Sequence, residues 1–316
     1  MRAFLVGSYG AGNLGDEALK EYFLNTYKEV DWAVASAYPK EGEYIHLPVG
    51  IRSLFKPWWR TVVVLRKVDV VVFGGGSLFT DTESVMACIV WWWYTVMLRM
   101  FRNPIHFAFQ GVGPFQTKLG GYLAHRSFRH AASISVRDSL SLARVQQWKL
   151  NTEVVLTFDP IFKLIEGKKY DVSTKNVLVI IPRMNSGEAF IKKAKELVEK
   201  SEWEEIRIIS LQPEHSGEQR VCLALQEQAR SALVPVYTIE DLVNALKDAK
   251  LVLAERYHGA LAALALGKEC EIICQRAGDK LSAFSDLIKA NKSTEELLAA
   301  VDRGEDSLRK TLSVVK

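Results

Sequence analysis

The sequence predicts an α/β fold in two domains, each built on a parallel sheet. Three observations lead there. Short apolar runs alternate with helical patterns along the whole chain, as strand–helix–strand units require. The alternation stops at Asp159-Pro160 and restarts at residue 176. The first apolar run, Ala3-Phe4-Leu5-Val6, leads straight into GSYGAGNLGDE at 7–17. That is a strand–loop–helix turn of the kind at which open α/β sheets bind ligands. With 316 residues the chain has the length of about two domains.

In the first half, strands are expected near 2–7, 32–37, 69–73, 104–109, 132–136 and 153–157. Each is a short run rich in Val, Ile, Phe or Ala, without the polar alternation of a half-solvated strand. Helices are expected between them, near 16–28, 58–67, 84–101, 118–130 and 138–148, as in the spacing of Ala18, Leu19, Tyr22 and Phe23. Residues 1–160 make the first domain. A linker is expected over 161–175, where the polar run 165–175 lacks apolar periodicity. The second domain, 176–316, repeats the pattern. Strands are expected near 176–181, 205–210, 234–237, 250–254 and 269–274, with helices near 187–200, 216–230, 239–247 and 258–266. Two more helical patterns follow near 280–289 and 293–303, and the terminal helix is expected to pack back on the first domain. The reading is two Rossmann-like domains facing across a cleft, with ligands at the strand ends.

Composition excludes several classes. With 48% hydrophobic and 25% charged residues the chain is ordinary for a globular protein. A net charge of +4 without a polybasic tract argues against nucleic acid. Cys88, Cys222, Cys270 and Cys274 form no C-x-x-C pair, so neither zinc nor another metal is expected. No leader is read before the first strand, and a reducing cytoplasm is the expected location. Val85–Leu98 is uncharged but shorter than the roughly 20 residues of a membrane span, so it reads as a helix packed on a sheet. The run 51–60, IRSLFKPWWR, mixes basic and aromatic residues. It suits the surface of an anionic inner leaflet, and equally a solvated loop. Trp91-Trp92-Trp93 reads as core.

Gly10, Gly12 and Gly15 fit the spacing of a dinucleotide loop. Two features oppose that use. The second strand ends without the acid that would hold a ribose, and Asp16 and Glu17 would repel a pyrophosphate at the helix start. The loop therefore suits neutral hydroxyls or close backbone approach. Other strand ends carry Gly74-Gly75-Gly76-Ser77 with Thr80 and Asp81, then Gln110-Gly-Val-Gly-Pro114, Arg137-Asp138, Pro182-Arg183, and Glu255-Arg256-Tyr257-His258-Gly259. The last cluster holds the most chemistry. Arg256 is a fixed cationic fork for phosphate or carboxylate, His258 exchanges a proton near neutrality, and a helix starting there presents free N–H groups to an anion. Plain alternatives are a satisfied helix cap for His258 and a salt bridge for Arg137.

Six segments together resemble the polysaccharide pyruvyl transferase family: GSYGAGNLGDEAL at 7–19, VVFGGGSLFTD at 71–81, QGVGP at 110–114, ISVRD at 134–138, DP at 159–160 and RYHGALAALALG at 256–267. The resemblance implies a glycosyltransferase-B-like arrangement. It also implies transfer of pyruvate from phosphoenolpyruvate to two hydroxyls of a sugar as a cyclic ketal, with phosphate released. No cofactor beyond this co-substrate is implied. On that basis the second domain holds the donor through Arg256, Arg183, His258, Tyr257 and Lys280. The acceptor, a glycan or lipid-linked sugar of the cell surface or wall, meets Gly10, Asn13, Asp16, Gly75, Gly76, Ser77, Asp81 and Gln110. His258 is expected to act as acid, and Asp16 or Glu17 to hold or deprotonate an acceptor hydroxyl. The alternatives are a nucleotide-sugar glycosyltransferase, for which Glu255 would be the ribose acid, and a non-catalytic sugar- or anion-binding module.

Overall fold

The first apolar run forms β1 (Arg2–Val6), buried from Ala3 onward. In this computed structural model, described over residues 1–48, 55–200, 203–229 and 231–313, β1 lies between two parallel partners. These are β2 (Asp31–Ser36) and β4 (Val70–Gly74), with Phe4 opposite Ala33 and Val71. The sheet continues with β3 (Glu43–Ile45), β5 (Ile105–Gln110), β6 (Ser133–Val136) and β7 (Val154–Leu156), in the order β3-β2-β1-β4-β5-β6-β7. Every pairing is parallel. The helices are α1 (Leu14–Thr26), α2 (Trp59–Leu65), α3 (Val85–Met100), α4 (Lys118–Phe128) and α5 (Ser139–Gln147).

The second sheet has β8 (Val177–Ile181), β9 (Glu205–Ser210), β10 (Ala232–Pro235), β11 (Leu251–Ala254) and β12 (Glu269–Ile272), all parallel, in the order β10-β9-β8-β11-β12. Around it are α6 (Ile161–Glu166), α7 (Glu188–Lys200), α8 (Ser216–Ala229), α9 (Ile239–Leu246), α10 (Tyr257–Ala265) and α11 (Lys280–Lys289). The last helix is α12 (Thr294–Ser313).

Two compact units result. One comprises Met1–Ala11, Leu19–Pro160 and Glu295–Lys316, the other Gly12–Ala18 and Ile161–Thr294. Two details depart from the expected boundaries. The glycine-loop segment Gly12–Ala18 belongs with the second unit. Residues 161–166, expected as linker, are a short helix because Ile161, Phe162 and Ile165 have a core to bury into. The edge strand β3 was not expected from its three half-buried residues. In the first unit α12 packs on α1 and the sheet. Tyr22 donates to Glu305 at 2.5 Å, Arg309 donates to Glu29 and lies over the Tyr27 ring, and Gly304 faces Phe109.

In both sheets the chain leaves the first strand toward one edge and returns on the other side. The resulting switch points lie between β1 and β4, and between β8 and β11. Ligands of open α/β sheets bind beyond the strand ends at such points. No helix among the described residues is long and apolar enough to cross a membrane. In α3, which contains the uncharged stretch Val85–Leu98, Cys88, Tyr94, Thr95 and Leu98 are buried. Of the 51–60 run, residues 51–54 lie outside the described residues; Phe55 and Trp59 are exposed, and Arg60 stacks on Trp59.

Candidate active site

The switch point of the second unit gathers the chemistry. β11 is wholly buried, Leu251 to Ala254. Its pleat sends the next two side chains to opposite sides. Glu255, 1% exposed, accepts from Ser186 Oγ at 2.5 Å and from Gln275 Nε2 at 3.1 Å. Burial raises its pKa, opposed by those bonds and by Arg183. Arg256, the N-cap of α10, goes the other way. Its Nη2 donates to Gln212 Oε1 at 2.5 Å and to Glu218 Oε2. Glu218 is fully buried and also accepts from Ser210 Oγ at 3.0 Å and Gln212 N at 2.9 Å. A buried guanidinium needs such a partner, since an isolated buried charge costs several kcal/mol. Glu218 therefore fixes both the charge and the direction of Arg256.

On the neighbouring strand, Arg183 follows β8 and Pro182. Its Nη1 donates to Gln275 Oε1 at 3.2 Å, and its own amide donates to Ser186 Oγ at 2.9 Å. Arg183 and Arg256 thus flank the β8/β11 switch point, where burial, and then the nearby Arg183 charge, lower the pKa of Arg256.

The glycine loop completes this unit. Asn13 caps α1 by accepting from Gly15 N at 3.1 Å, and Leu14 N donates to Leu211 O at 3.3 Å, at the end of β9. The cap residue is Asn13, so the Asp16 and Glu17 carboxylates lie in the first turn of α1, half-buried. The charge of Asp16 supports that of Arg256. Gly15 lies against the His258 imidazole so closely that any Cβ there would overlap Nδ1 and Cε1. The His258 ring meets Tyr257 edge-on at 5.2 Å, and Tyr257, 4% exposed, packs on Phe284. Lys280, the first residue of α11, holds its Nζ 5.9 Å from the Tyr257 ring centroid. One unit therefore brings together His258, Asp16, Arg256, Arg183, Tyr257 and Lys280.

The expected acceptor residues of the first unit divide. Gly75 and Gly76 turn the chain after β4 with φ of 81° and 79°, conformations in which glycine is the favoured residue. Ser77 accepts from Arg137 Nη2 at 2.8 Å, and Arg137 is tied to Asp159 at 2.7 Å, both essentially unexposed. Asp81, 4% exposed, accepts from Gln116 N, Thr117 N and Thr117 Oγ1 at 2.5–2.8 Å, which hold the start of α4. Gln110 Nε2 donates to the carbonyls of Phe73, Gly75 and Ala108. All three side chains help to build the strand-end loops; Asp81 and Gln110 are buried, and Ser77 is half-buried. Gly10 adopts φ 79° beside Ser36 and the backbone of Ala37 and Tyr38.

A cavity of about 310 Å³ opens at the same strand ends. Tyr9, Ala37, His46, Trp91 and Tyr94 wall it, and no residue lining it carries a formal charge at neutral pH. Burial, aided by Lys56, pushes His46 down to about 4. The tryptophan run thus packs as core in part while Trp91 also faces a cavity. Among the described residues no three His, Cys, Asp or Glu side chains gather as metal ligands.

The family model described as polysaccharide pyruvyl transferase matches residues 13–270. The chain belongs to that family. Solved structures share its fold. One is the Anabaena protein Alr3699/HepE in complex with UDP and glucose, at 13% identity over 99% of both chains and a TM-score of 0.58. Another is UDP-N-acetylglucosamine 2-epimerase from Rickettsia bellii, at 12% identity over 100% of this chain and 97% of that one, with a TM-score of 0.65. A third is UDP-GlcNAc 2-epimerase from Neisseria meningitidis bound to UDP-GlcNAc, at 12% identity over 99% of both chains and a TM-score of 0.53. At such identities the likeness is one of fold: two Rossmann-like α/β domains of the glycosyltransferase-B type. No curated protein matches the sequence.

Within this pyruvyl transferase family member, sequence reasoning missed Gln212 and Glu218. The signal was present, because Ser210-Leu211-Gln212-Pro213 is a polar strand end like the others. What could not be read was that β9 lies beside β8, which brings Glu218 to Arg256.

Proposed function

We propose that the protein transfers pyruvate from phosphoenolpyruvate to two hydroxyls of a polysaccharide sugar or its lipid-linked precursor, as a cyclic ketal, with release of phosphate. The observation that supports this most is the pair Arg183 and Arg256 at the β8/β11 switch point, with His258 in the first turn of α10. Phosphoenolpyruvate presents a phosphate and a carboxylate, and two guanidinium forks beside a helix N-terminus suit both. α10 has no acid in its first turn to oppose an anion.

In this reading His258 delivers a proton to the methylene carbon of the donor, leaving a cation at the carbon that bears phosphate. An acceptor hydroxyl adds there and gives up its proton. The second hydroxyl then closes the ring as the carbon–oxygen bond to phosphate breaks, its proton leaving with the phosphate. Asp16 or Glu17 takes an acceptor proton, and Arg183 and Arg256 stabilise the departing phosphate. Tyr257 and Lys280 complete the donor wall. Glu218 is a positioning residue that acts through Arg256. The acceptor lies along the Gly75-Gly76 turn and the Trp91 cavity, where an aromatic face suits the apolar side of a pyranose. The cytoplasm, at its membrane face for a lipid-linked acceptor, is the proposed place of reaction.

Glu255, the residue that would favour a nucleotide-sugar donor, is buried and satisfied by Ser186 and Gln275, so it offers no carboxylate to a ribose. The test is phosphate release from phosphoenolpyruvate with a panel of free and lipid-linked sugars, and the mass of the sugar product. Acceptor-dependent release with a pyruvate ketal is expected. His258→Ala should keep donor binding and lose transfer, and Arg256→Ala should weaken donor binding. Stabilisation by nucleotide sugars but not by phosphoenolpyruvate would overturn the proposal.

A further inference from the structure

Charge in the first unit is unevenly distributed. Residues 84–152 contain eight Lys or Arg and a single acid, Asp138, in a chain whose net charge is only +4. These residues span α3, α4 and α5, none of which has an acid in its first turn. In a parallel α/β layer the helices run back against the strands. Their C-terminal ends therefore gather at the edge of the sheet opposite the glycine loops. There a cleft of about 470 Å³ is lined by His125, Arg129, His130, Trp148, Lys149 and Asn151, with Leu150.

Among the described residues, Arg99, Arg126, Arg129 and Lys149 make no ion pair. The local field is positive enough to act on both histidines. The pKa of His125 is lowered by burial and by Arg129 and Arg126, and that of His130 by burial and by Arg99, Arg129 and Arg126. No carboxylate opposes either shift. One wall is rigid, with His125 stacked on Trp148 at 5.7 Å and Trp148 packed on Phe128 at 5.5 Å. Helix dipoles favour cations at helix C-termini, which accounts for Arg99 and Arg126 individually. They do not account for three helices without acids or for cations converging on a concave site.

We propose that this cleft binds a phosphate group, held by Arg129, Lys149, the two imidazoles and the Asn151 amide. It is an anion site at the edge of the first sheet opposite the strand ends, separate from the arginines of the second unit. The group is borne either by a soluble phosphate compound or by a phospholipid headgroup. This inference stands without the proposed reaction.

The histidine Cε1–H resonances of the full chain report on the cleft directly. Inorganic pyrophosphate should move those of His125 and His130. Co-sedimentation with phosphatidylglycerol vesicles, against phosphatidylcholine vesicles, tests the lipid source. Arg129 and Lys149 are exposed, so Arg129→Glu with Lys149→Glu should leave the fold intact while weakening binding by roughly tenfold or more. Lys195→Glu with Lys200→Glu, the same charge change on α7, should bind as the natural protein does. A response to pyrophosphate alone assigns a soluble ligand, and one to anionic vesicles alone assigns a headgroup. Unmoved His125 and His130 resonances together with no preference for anionic vesicles would overturn the proposal, as would undiminished binding by the Arg129/Lys149 variant.

Discussion

Gly15→Ala isolates the contribution of His258 without touching it. Gly15 lies in the first turn of α1 and is not among the positive-φ glycines, so alanine suits its backbone. In a helix interior the exchange is worth up to about 1 kcal/mol in favour of alanine. The new methyl, however, occupies the space of the His258 ring. Carbon atoms settle about 3.5–4.0 Å apart, so the ring must retreat by more than about 1 Å. Off-rotamer strain of about 0.5–1.5 kcal/mol then offsets the propensity gain. Stability should be nearly unchanged, with Tm within about 3 °C of the parent. Turnover should suffer, because a displacement of about 1 Å in a proton donor can cost 10²-fold. Arg183 and Arg256 are untouched, so KM for phosphoenolpyruvate should hold. The assay is steady-state phosphate release with thermal unfolding on the same samples. Adding Gly15→Ala to His258→Ala should then lower the residual kcat little further, since both act on one group. Parental kcat in Gly15→Ala would refute the argument that His258 works from the position Gly15 allows.

Asp159→Ala should destabilise by about 3–5 kcal/mol, because it strands the buried Arg137; a shift of less than about 1 kcal/mol in urea unfolding would contradict this. Asp81→Asn should cost about 1.5–3 kcal/mol at pH 7, since hydrogen bonds from Thr117 and Gln116 hold the Asp81 carboxyl below its usual range against burial. That stability is present above the ordinary Asp value near 3.8 and is lost as the pH falls below it toward the depressed native value. The gap between variant and parent should therefore close below about pH 4, and a pH-independent gap would contradict the assignment. Trp91→Ala should raise KM for the acceptor about tenfold, the worth of one aromatic contact, and leave that for phosphoenolpyruvate alone; equal changes in both would remove the cavity from the acceptor path.

Much of the fold was legible because a parallel sheet buries both faces and so writes its strands as short apolar runs. β1, β4, β5, β8 and β11 were all placed within about two residues of their observed bounds. What escaped were elements too short to be periodic. β3 has three half-buried residues, and α6 has under two turns. The strand-end residues Arg183, Arg256 and His258 were legible because Pro, Gly and charged residues interrupt apolar runs there. Their partners were not. Glu218 looks like any first-turn acid of a helix, and only the order β9-β8-β11 carries it to Arg256. Gly15 was visible as a loop glycine, but its reason is a ring more than two hundred residues away. Ser77, Asp81 and Gln110, read from the sequence as acceptor contacts, also tie the loops they stand in. Polar residues at strand ends also tie loops together, and the sequence does not distinguish the two uses.

The way the glycine loop departs from a dinucleotide cradle has a physical basis. A pyrophosphate site needs free amides and no negative charge at the helix start. At α1, the Gly15 amide goes to Asn13, the Leu14 amide goes to Leu211, and Asp16 and Glu17 add two carboxylates. At α10, in the same unit, the first turn has no acid and its cap residue is Arg256 itself. Of the two helix starts, only α10 can favour an anion. The carboxylate of Asp16 then acts on Arg256, supporting the charge that Glu218 also anchors. What resembles a nucleotide motif thus becomes, in this chain, a backing for an arginine and a histidine, and in the proposed reaction the donor anion belongs at the strand end it supports and not at the glycine loop.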